Sequence, residues 1–236
     1  MSGHRQGADA TRALVVAHRG AWGEAPQNSL AAFERAIELG CDAVELDVRL
    51  TADGALAIVH DARVGGRAVA NQTLAELRSR PGHRETPVLE AVVELAAGRI
   101  ALDVELKRSD CARAAVGLLA ARLAPAACVV TSFDDDALRL ARRAWPEVRT
   151  GLLVGPRLRA RELEGRLRRT GAALIAPHVG LARPRLLRWA AERELPVWVW
   201  TVNDPRALRR LGRDSRVQAQ ITDRPERAIE AIRETP

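Results

Sequence analysis

The chain has 236 residues, 47% of them hydrophobic, which is enough for one domain with a large core; single α/β barrels often reach this length. Its formal net charge is +7, but 37 basic residues are interleaved with 30 acidic ones. That mixture reads as a solvated, Arg-rich surface rather than a patch dedicated to nucleic acid or a membrane surface.

Residues 1–12 (MSGHRQGADATR) are polar and small, and the expectation is a frayed N-terminus followed by a single domain over 13–236. They lack the apolar core of a signal peptide, and no later stretch has 18 consecutive apolar residues, so a cytoplasmic protein without stable membrane insertion is expected. Eight apolar, β-branched runs follow: 13–18 (ALVVAH), 43–48 (AVELDV), 100–106 (IALDVEL), 128–133 (CVVTSF), 149–154 (RTGLLV), 173–178 (ALIAPH), 197–202 (VWVWTV) and 218–222 (QAQIT). Segments of helical period separate them. In 28–40, Asn28 or Ser29 can cap and Gly40 can terminate, and Asp134 to Asp136 suit a helix N-terminus. Eight strand and helix alternations, with no G-x-G-x-x-G after the first strand, predict a parallel α/β (β/α)8 barrel rather than an open doubly wound sheet.

After the second strand, Asp53-Gly54 marks a tight turn and Ala55 to Val59 is extended, which predicts a short β-hairpin outside the barrel ring. Its pairing would bring His60 roughly opposite Asp47. Residues 61–86 read as one long polar interruption. Cys41, Cys111 and Cys128 are widely spaced with no C-x-x-C pair, which argues against a disulfide framework or a zinc site.

In a parallel barrel the chemistry gathers at the C-terminal ends of the strands. There the chain carries His18-Arg19, Glu45 and Asp47, His60-Asp61, and Asp103, Glu105 and Lys107. Residues two apart share one face of a strand, so Glu45, Asp47, Asp103, Glu105 and Lys107 face the barrel axis while Val44, Leu46, Val48, Leu102, Val104 and Leu106 face the helices. Two like charges about 4 Å apart repel by about 4 kcal/mol at an effective dielectric near 20, so the cluster calls for a cation. Oxygen ligation by Glu45, Asp47 and Glu105 suits one divalent cation, Mg2+ or Ca2+. The alternative is that Arg19 and Lys107 neutralise the carboxylates alone. His18 and His60 are candidates for an acid and a base, and Arg19 and Lys107 for holding an anion. Lys107 is the one lysine among the 37 basic residues. His178, at the end of the sixth run, is a further candidate at the mouth or a packed rim residue; His4 and His83 read as surface or packed.

The ordered set HRG (18–20), PQNS (26–29), GCDAVELDVRLTADGALAIVHD (40–61), LDVELK (102–107), TSF (131–133), VWTVN (199–203) and ITDRP (221–225) resembles the glycerophosphodiester phosphodiesterase family along nearly the whole chain. The resemblance implies a TIM barrel that hydrolyses small glycerophosphodiesters to glycerol 3-phosphate and an alcohol with a divalent cation. It implies that His18 and His60 are the acid and base pair, that Glu45, Asp47 and Glu105 are the metal ligands, and that Arg19 and Lys107 hold the phosphate. Asn28 and Trp200 match positions around the substrate. A cyclic glycerol phosphate, opened by water, is the expected intermediate. The chain departs from the family pattern at Gln27, where a glutamate is usual, in the lead into the last strand (216–220), and after His60-Asp61.

Two other readings compete. One is a phospholipase D-like lyase on the same fold that stops at the cyclic phosphate. The other is a nucleic-acid-binding barrel using segments such as 157–170 (RLRARELEGRLRRT), against which stand its alternating Glu residues and the lack of an aromatic stacking platform.

Overall fold

The computed structural model describes residues 12–23, 25–157 and 160–233. The expected frayed N-terminus lies outside them, apart from Arg12.

The chain begins with β1 (Leu14–His18), α1 (Leu30–Leu39) and β2 (Ala43–Leu50), then β3 (Leu56–Ile58), β4 (Arg63–Val64), β5 (Arg67–Ala68), α2 (Leu74–Arg78) and α3 (Leu89–Ala96). It continues through β6 (Ala101–Leu106), α4 (Ala112–Arg122), β7 (Cys128–Ser132), α5 (Asp135–Ala144), β8 (Arg149–Val154) and α6 (Ala160–Thr170). The last part is β9 (Leu174–Pro177), α7 (Pro184–Ala191), β10 (Trp198–Val199), α8 (Pro205–Gly212), β11 (Ala219–Thr222) and α9 (Pro225–Arg233). Eight strands pair in parallel in the order β10-β11-β1-β2-β6-β7-β8-β9, and bridges from Ile175 to Val197 and from His178 to Trp200 join the two ends. This is the predicted (β/α)8 barrel.

Local chemistry sets the element ends. Ser29, not Asn28, caps α1: its Oγ accepts the Ala32 N–H at 3.1 Å, and Gly40 closes the helix in the left-handed region at φ 77°. Asp134 caps α5 by accepting the Asp136 N–H, and Asp204 caps α8 ahead of Pro205. The seventh run is shorter than the expected 197–202. Past Val199 the chain leaves the regular ladder but stays bonded to both neighbours, through Trp200 N–H to Pro177 O and Val202 N–H to Ile221 O.

Period two divides the apolar residues into two layers. Val44, Leu46, Val48, Leu102, Val104 and Leu106 pack outward against the helices in the main core. Val16, Ala43, Val129, Leu153, Leu174, Ala176, Trp198, Ala219 and Ile221 fill the inside of the ring. Val16, Ala43 and Trp198 precede by two residues the mouth positions His18, Glu45 and Trp200. Burying them fills the ring below the mouth.

The hairpin forms as expected: β3 pairs antiparallel with β2, its Ala57 also bridges to Val88, and Gly54 takes φ 83° in the turn. Its register corrects the expectation by one residue. Val48 pairs with Ile58, and the Val59 N–H bonds to Asp47 O, so Val59 and not His60 lies opposite Asp47. The interruption at 61–86 is also more ordered than its polarity suggested. It holds the β4–β5 pair, and α2 is started by a Thr73/Glu76 capping box. Val64, Val69 and Leu77 pack with Ala57 and Val59 into a small core beneath it.

Candidate active site

The β1–β2–β6 register sets the carboxylates side by side: His18 is level with Glu45, Glu45 with Asp103, and Asp47 with Glu105. All four carboxylates are buried. One pocket of about 220 Å3 at the mouth is lined by His18, Arg19, Glu45, His60, Glu105 and Lys107, with Trp200 and Phe133 on its far wall. Most of the residues singled out in the sequence therefore come together.

Ion pairing inside the pocket is uneven. Lys107 Nζ lies 2.7 Å from both Asp47 Oδ1 and Glu105 Oε1, and Arg19 Nε lies 3.1 Å from Asp47 Oδ2. Asn28 donates from Nδ2 to Asp47 Oδ2 at 2.7 Å. Among the described residues no Arg or Lys side chain bonds Glu45. Its Oε2 accepts the Arg19 backbone N–H at 2.9 Å, and His18 Nε2 is 3.9 Å away.

The titration of each group follows from these partners. Burial, and then Asp47, Glu105 and Asp103, push Glu45 well above the usual carboxylate value. Burial also raises Glu105, against the pull of Lys107. Burial works to raise Asp47 too, but Lys107 and Arg19 outweigh it and hold that carboxyl below its ordinary value. Asp103 is pushed up to about 7 by burial, even though its Oδ1 accepts the Thr131 hydroxyl at 2.7 Å; its Oδ2 has no hydrogen-bond partner among the described residues. Burial disfavours the Lys107 ammonium, yet Asp47 and Glu105 keep it above its usual value.

These observations test the fit of a divalent cation. Glu45, Asp47 and Glu105 each offer an oxygen, all within 4.8 Å of one another. Two cationic side chains face these three carboxylates, and both pair with Asp47 or Glu105 rather than Glu45. Among the described residues the buried Asp47 Oδ1 has no partner other than the Lys107 ammonium. An all-oxygen set with surplus negative charge suits a hard cation better than neutralisation by Arg19 and Lys107 alone.

Each imidazole is anchored through Nδ1. His18 Nδ1 meets Asp223 Oδ1 at 2.6 Å, and Asn203 Nδ2 donates to Asp223 Oδ2 at 2.6 Å. His60 Nδ1 meets Asp61 Oδ1 at 2.8 Å, while Arg49 fixes the His60 carbonyl at 2.9 and 2.7 Å. Burial pulls His60 below its usual value, against the hydrogen bond it makes to the Asp61 carboxylate. Arg19 takes φ 57°, and its Nη1 donates to Gln27 Oε1 at 2.7 Å. Gly20 must be glycine: it takes φ 84°, and a Cβ there would stand 2.7 Å from the Ala32 backbone.

Two nominated residues take less direct places. Trp200 lines the pocket with its N–H bonded to Ala176 O at 2.7 Å. His178 sits edge-on to Trp200 at 5.3 Å and accepts the Gly180 N–H, so it meets the mouth through that ring. Asp223 and Asn203 were not nominated. Period two contained the signal, since Ala219 and Ile221 face the barrel interior and Asp223 is the next residue of that parity.

Fold and site together define an enzyme of the parallel-barrel class, with an acidic centre fit for a divalent cation and two imidazoles beside it. The chain belongs to the glycerophosphoryl diester phosphodiesterase family, whose profile matches residues 18–227. A glycerophosphodiester phosphodiesterase of Caldanaerobacter subterraneus is 28% identical, over 94% of this chain and 98% of its own. A phosphodiesterase of Oleispira antarctica, solved with the product sn-glycerol-3-phosphate, superposes with a TM-score of 0.83 at 27% identity, covering 94% of this chain and 98% of its own. A glycerophosphodiester phosphodiesterase of Parabacteroides distasonis superposes at 0.79 with 26% identity, covering 94% and 97%.

Proposed function

We propose that the protein hydrolyses glycerophosphodiesters to glycerol 3-phosphate and an alcohol, with His18 and His60 as the acid and base pair. The observation that carries this is one pocket lined by both imidazoles, Glu45, Glu105, Arg19 and Lys107, with Asp47 completing the metal-competent carboxylate group. One divalent cation, Mg2+ or Ca2+, held by Glu45, Asp47 and Glu105, supplies Lewis-acid polarisation of a phosphoryl oxygen. Arg19 and Lys107 bind the phosphate charge. One imidazole removes the proton of the glycerol 2-hydroxyl as that oxygen attacks phosphorus, and the other protonates the departing alcohol oxygen. The product of this half is a cyclic glycerol phosphate, which water opens with the two imidazoles exchanging roles.

Asp223 and Asp61 act as positioning residues, each fixing the Nδ1 side of an imidazole so that Nε2 is presented to the substrate. Asn28 acts on Asp47 in the same way. Among the described residues no helix is long and apolar enough to cross a membrane. Three free, buried cysteines suit the reducing cytoplasm in which we place the enzyme.

The test is a panel of glycerophosphodiesters given to EDTA-stripped enzyme, with Mg2+ and Ca2+ added back separately. Turnover should require the cation and should fall by at least two orders of magnitude in His18→Ala and His60→Ala. Activity that survives EDTA, or either variant working at the wild-type rate, would sink the assignment. Accumulation of cyclic phosphate in place of the linear product would favour the lyase reading.

A further inference from the structure

Gln27 carries no charge, yet it holds one of the charged groups of the site. We propose that Gln27 makes the site retentive for its own product. As a neutral acceptor it fixes Arg19 without taking up its charge, so that the phosphomonoester dianion is held more tightly than the diester monoanion and accumulating product restrains turnover. The proposal rests on the function proposed above and adds what limits that reaction.

The local chain path puts Gln27 in place. β1 ends at His18, Arg19 turns in the left-handed region, and the loop returns so that the Asn28 N–H donates to the Arg19 carbonyl at 2.9 Å. Both neighbours of Gln27 are pinned: the Ser29 hydroxyl donates to the Pro26 carbonyl at 2.6 Å, and Asn28 Nδ2 donates to Asp47 Oδ2 at 2.7 Å. Only the Gln27 side chain is left to choose a direction, and it reaches Arg19, whose Nη1 donates to Oε1 at 2.7 Å. Arginine has donors only, so the amide oxygen must face it.

The charge balance around Arg19 gives the amide its effect. The guanidinium meets one carboxylate, Asp47, through Oδ2, while Asp47 Oδ1 is taken by Lys107 at 2.7 Å. Gln27 adds a hydrogen bond and no charge, and Arg19 Nη2 has no partner among the described residues. Arg19 therefore lines the pocket with its geometry fixed at two points and its positive charge only partly neutralised.

Substrate and product differ in the property that such a cation reads. A phosphodiester carries a single negative charge, whereas a phosphomonoester carries about −1.5 to −2 near neutral pH. Coulomb attraction grows in proportion, so a partly neutralised guanidinium favours the product over the substrate. Gln27 is exposed and lines a second cavity, of about 630 Å3, beside the mouth. A carboxylate of similar size at this position would stay in water, keep an acceptor on Arg19 and cancel the preference.

The experiment compares wild type, Gln27→Glu and Gln27→Met. It measures the inhibition constant of glycerol 3-phosphate, KM for the methyl diester of glycerol 3-phosphate and the curvature of progress curves, with melting temperature as the folding control. In the wild type the product constant should lie below KM. Gln27→Glu should weaken binding by about three- to tenfold per unit of ligand charge. A threefold rise in KM for the diester then goes with about a five- to ninefold rise in the product constant, and progress curves stay linear to higher conversion. Calorimetric titration of glycerol 3-phosphate should show the same gap without turnover. Gln27→Met removes the acceptor and adds no charge, so it should raise both constants by the same factor, within twofold. Equal factors for the two ligands in Gln27→Glu, or the same imbalance in Gln27→Met, would overturn the proposal while leaving the hydrolysis standing. Failure of the wild type to cleave any glycerophosphodiester with either metal would instead remove that hydrolysis, and the product effect with it.

Discussion

The contact between His18 and Asp223 joins residues 205 positions apart, and replacing Asp223 with Asn isolates its contribution. At 2.6 Å it is in the range of a charge-assisted hydrogen bond, worth about 1.5–3 kcal/mol. Burial works to raise Asp223, but the hydrogen bonds from His18 and Asn203 win and hold it below the usual carboxylate value, so it is ionised at neutral pH. Asparagine keeps the shape but removes the charge, and its amide can meet His18 Nδ1 as a donor, which favours the wrong tautomer. If the whole contact serves the transition state, the loss in kcat is roughly 10- to 150-fold at 1.36 kcal/mol per decade. KM for a glycerophosphodiester should move less than threefold, because the proposed mechanism assigns phosphate binding to Arg19 and Lys107. Asn203→Ala, which frees Asp223 without discharging it, should cost less than Asp223→Asn. Steady-state kinetics on metal-saturated enzyme, with melting temperature as the control for folding, reads both variants. A kcat for Asp223→Asn within twofold of wild type, at unchanged melting temperature, would refute the positioning argument.

Lys107→Met leaves Asp47 and Glu105 buried without their shared ammonium. Breaking such a group costs about 3–5 kcal/mol, or roughly 6–20 °C in melting temperature for a chain of this size, and added Mg2+ or Ca2+ should recover part of it. Asp103 predicts an unusual pH dependence for the metal-free protein. With its folded value at about 7 and its unfolded value near 3.8, the folded state binds more protons between those limits, so this group lowers stability as pH rises through that window. Acidification from pH 8 to 6 should raise the melting temperature of the metal-free protein more than that of Asp103→Asn, and equal shifts would show that Asp103 is not the cause. The cysteines should be inert: burial pushes Cys41 and Cys128 up to about 12 and Cys111 to about 11. Native protein should show no titration by a thiol reagent at pH 8, and all three should react once it is denatured.

The parts of this protein that are legible along the chain are those set by short-range physics. β-branched runs alternating with capped helical segments define eight strands, and side chains two apart share a face, so Glu45, Asp47, Asp103 and Glu105 point into one ring. Ring closure decides the rest. The one-residue shift that puts Val59 opposite Asp47 depends on how the hairpin seats against Pro87, whose carbonyl takes the Ile58 N–H. Hydrophobic burial under 61–86 orders a segment whose polarity read as a loop. The chain of contacts from His18 to Asp223 and from Asp223 to Asn203 arises because β11 returns to lie beside β1, and no spacing within either segment carries that information. Gln27, which in the sequence is a missing charge, is in the folded chain the acceptor for the Arg19 guanidinium and part of the wall of a second cavity. Local periodicity determined which residues face inward; only the closed barrel determined which of them touch, because those contacts join strands from opposite ends of the chain.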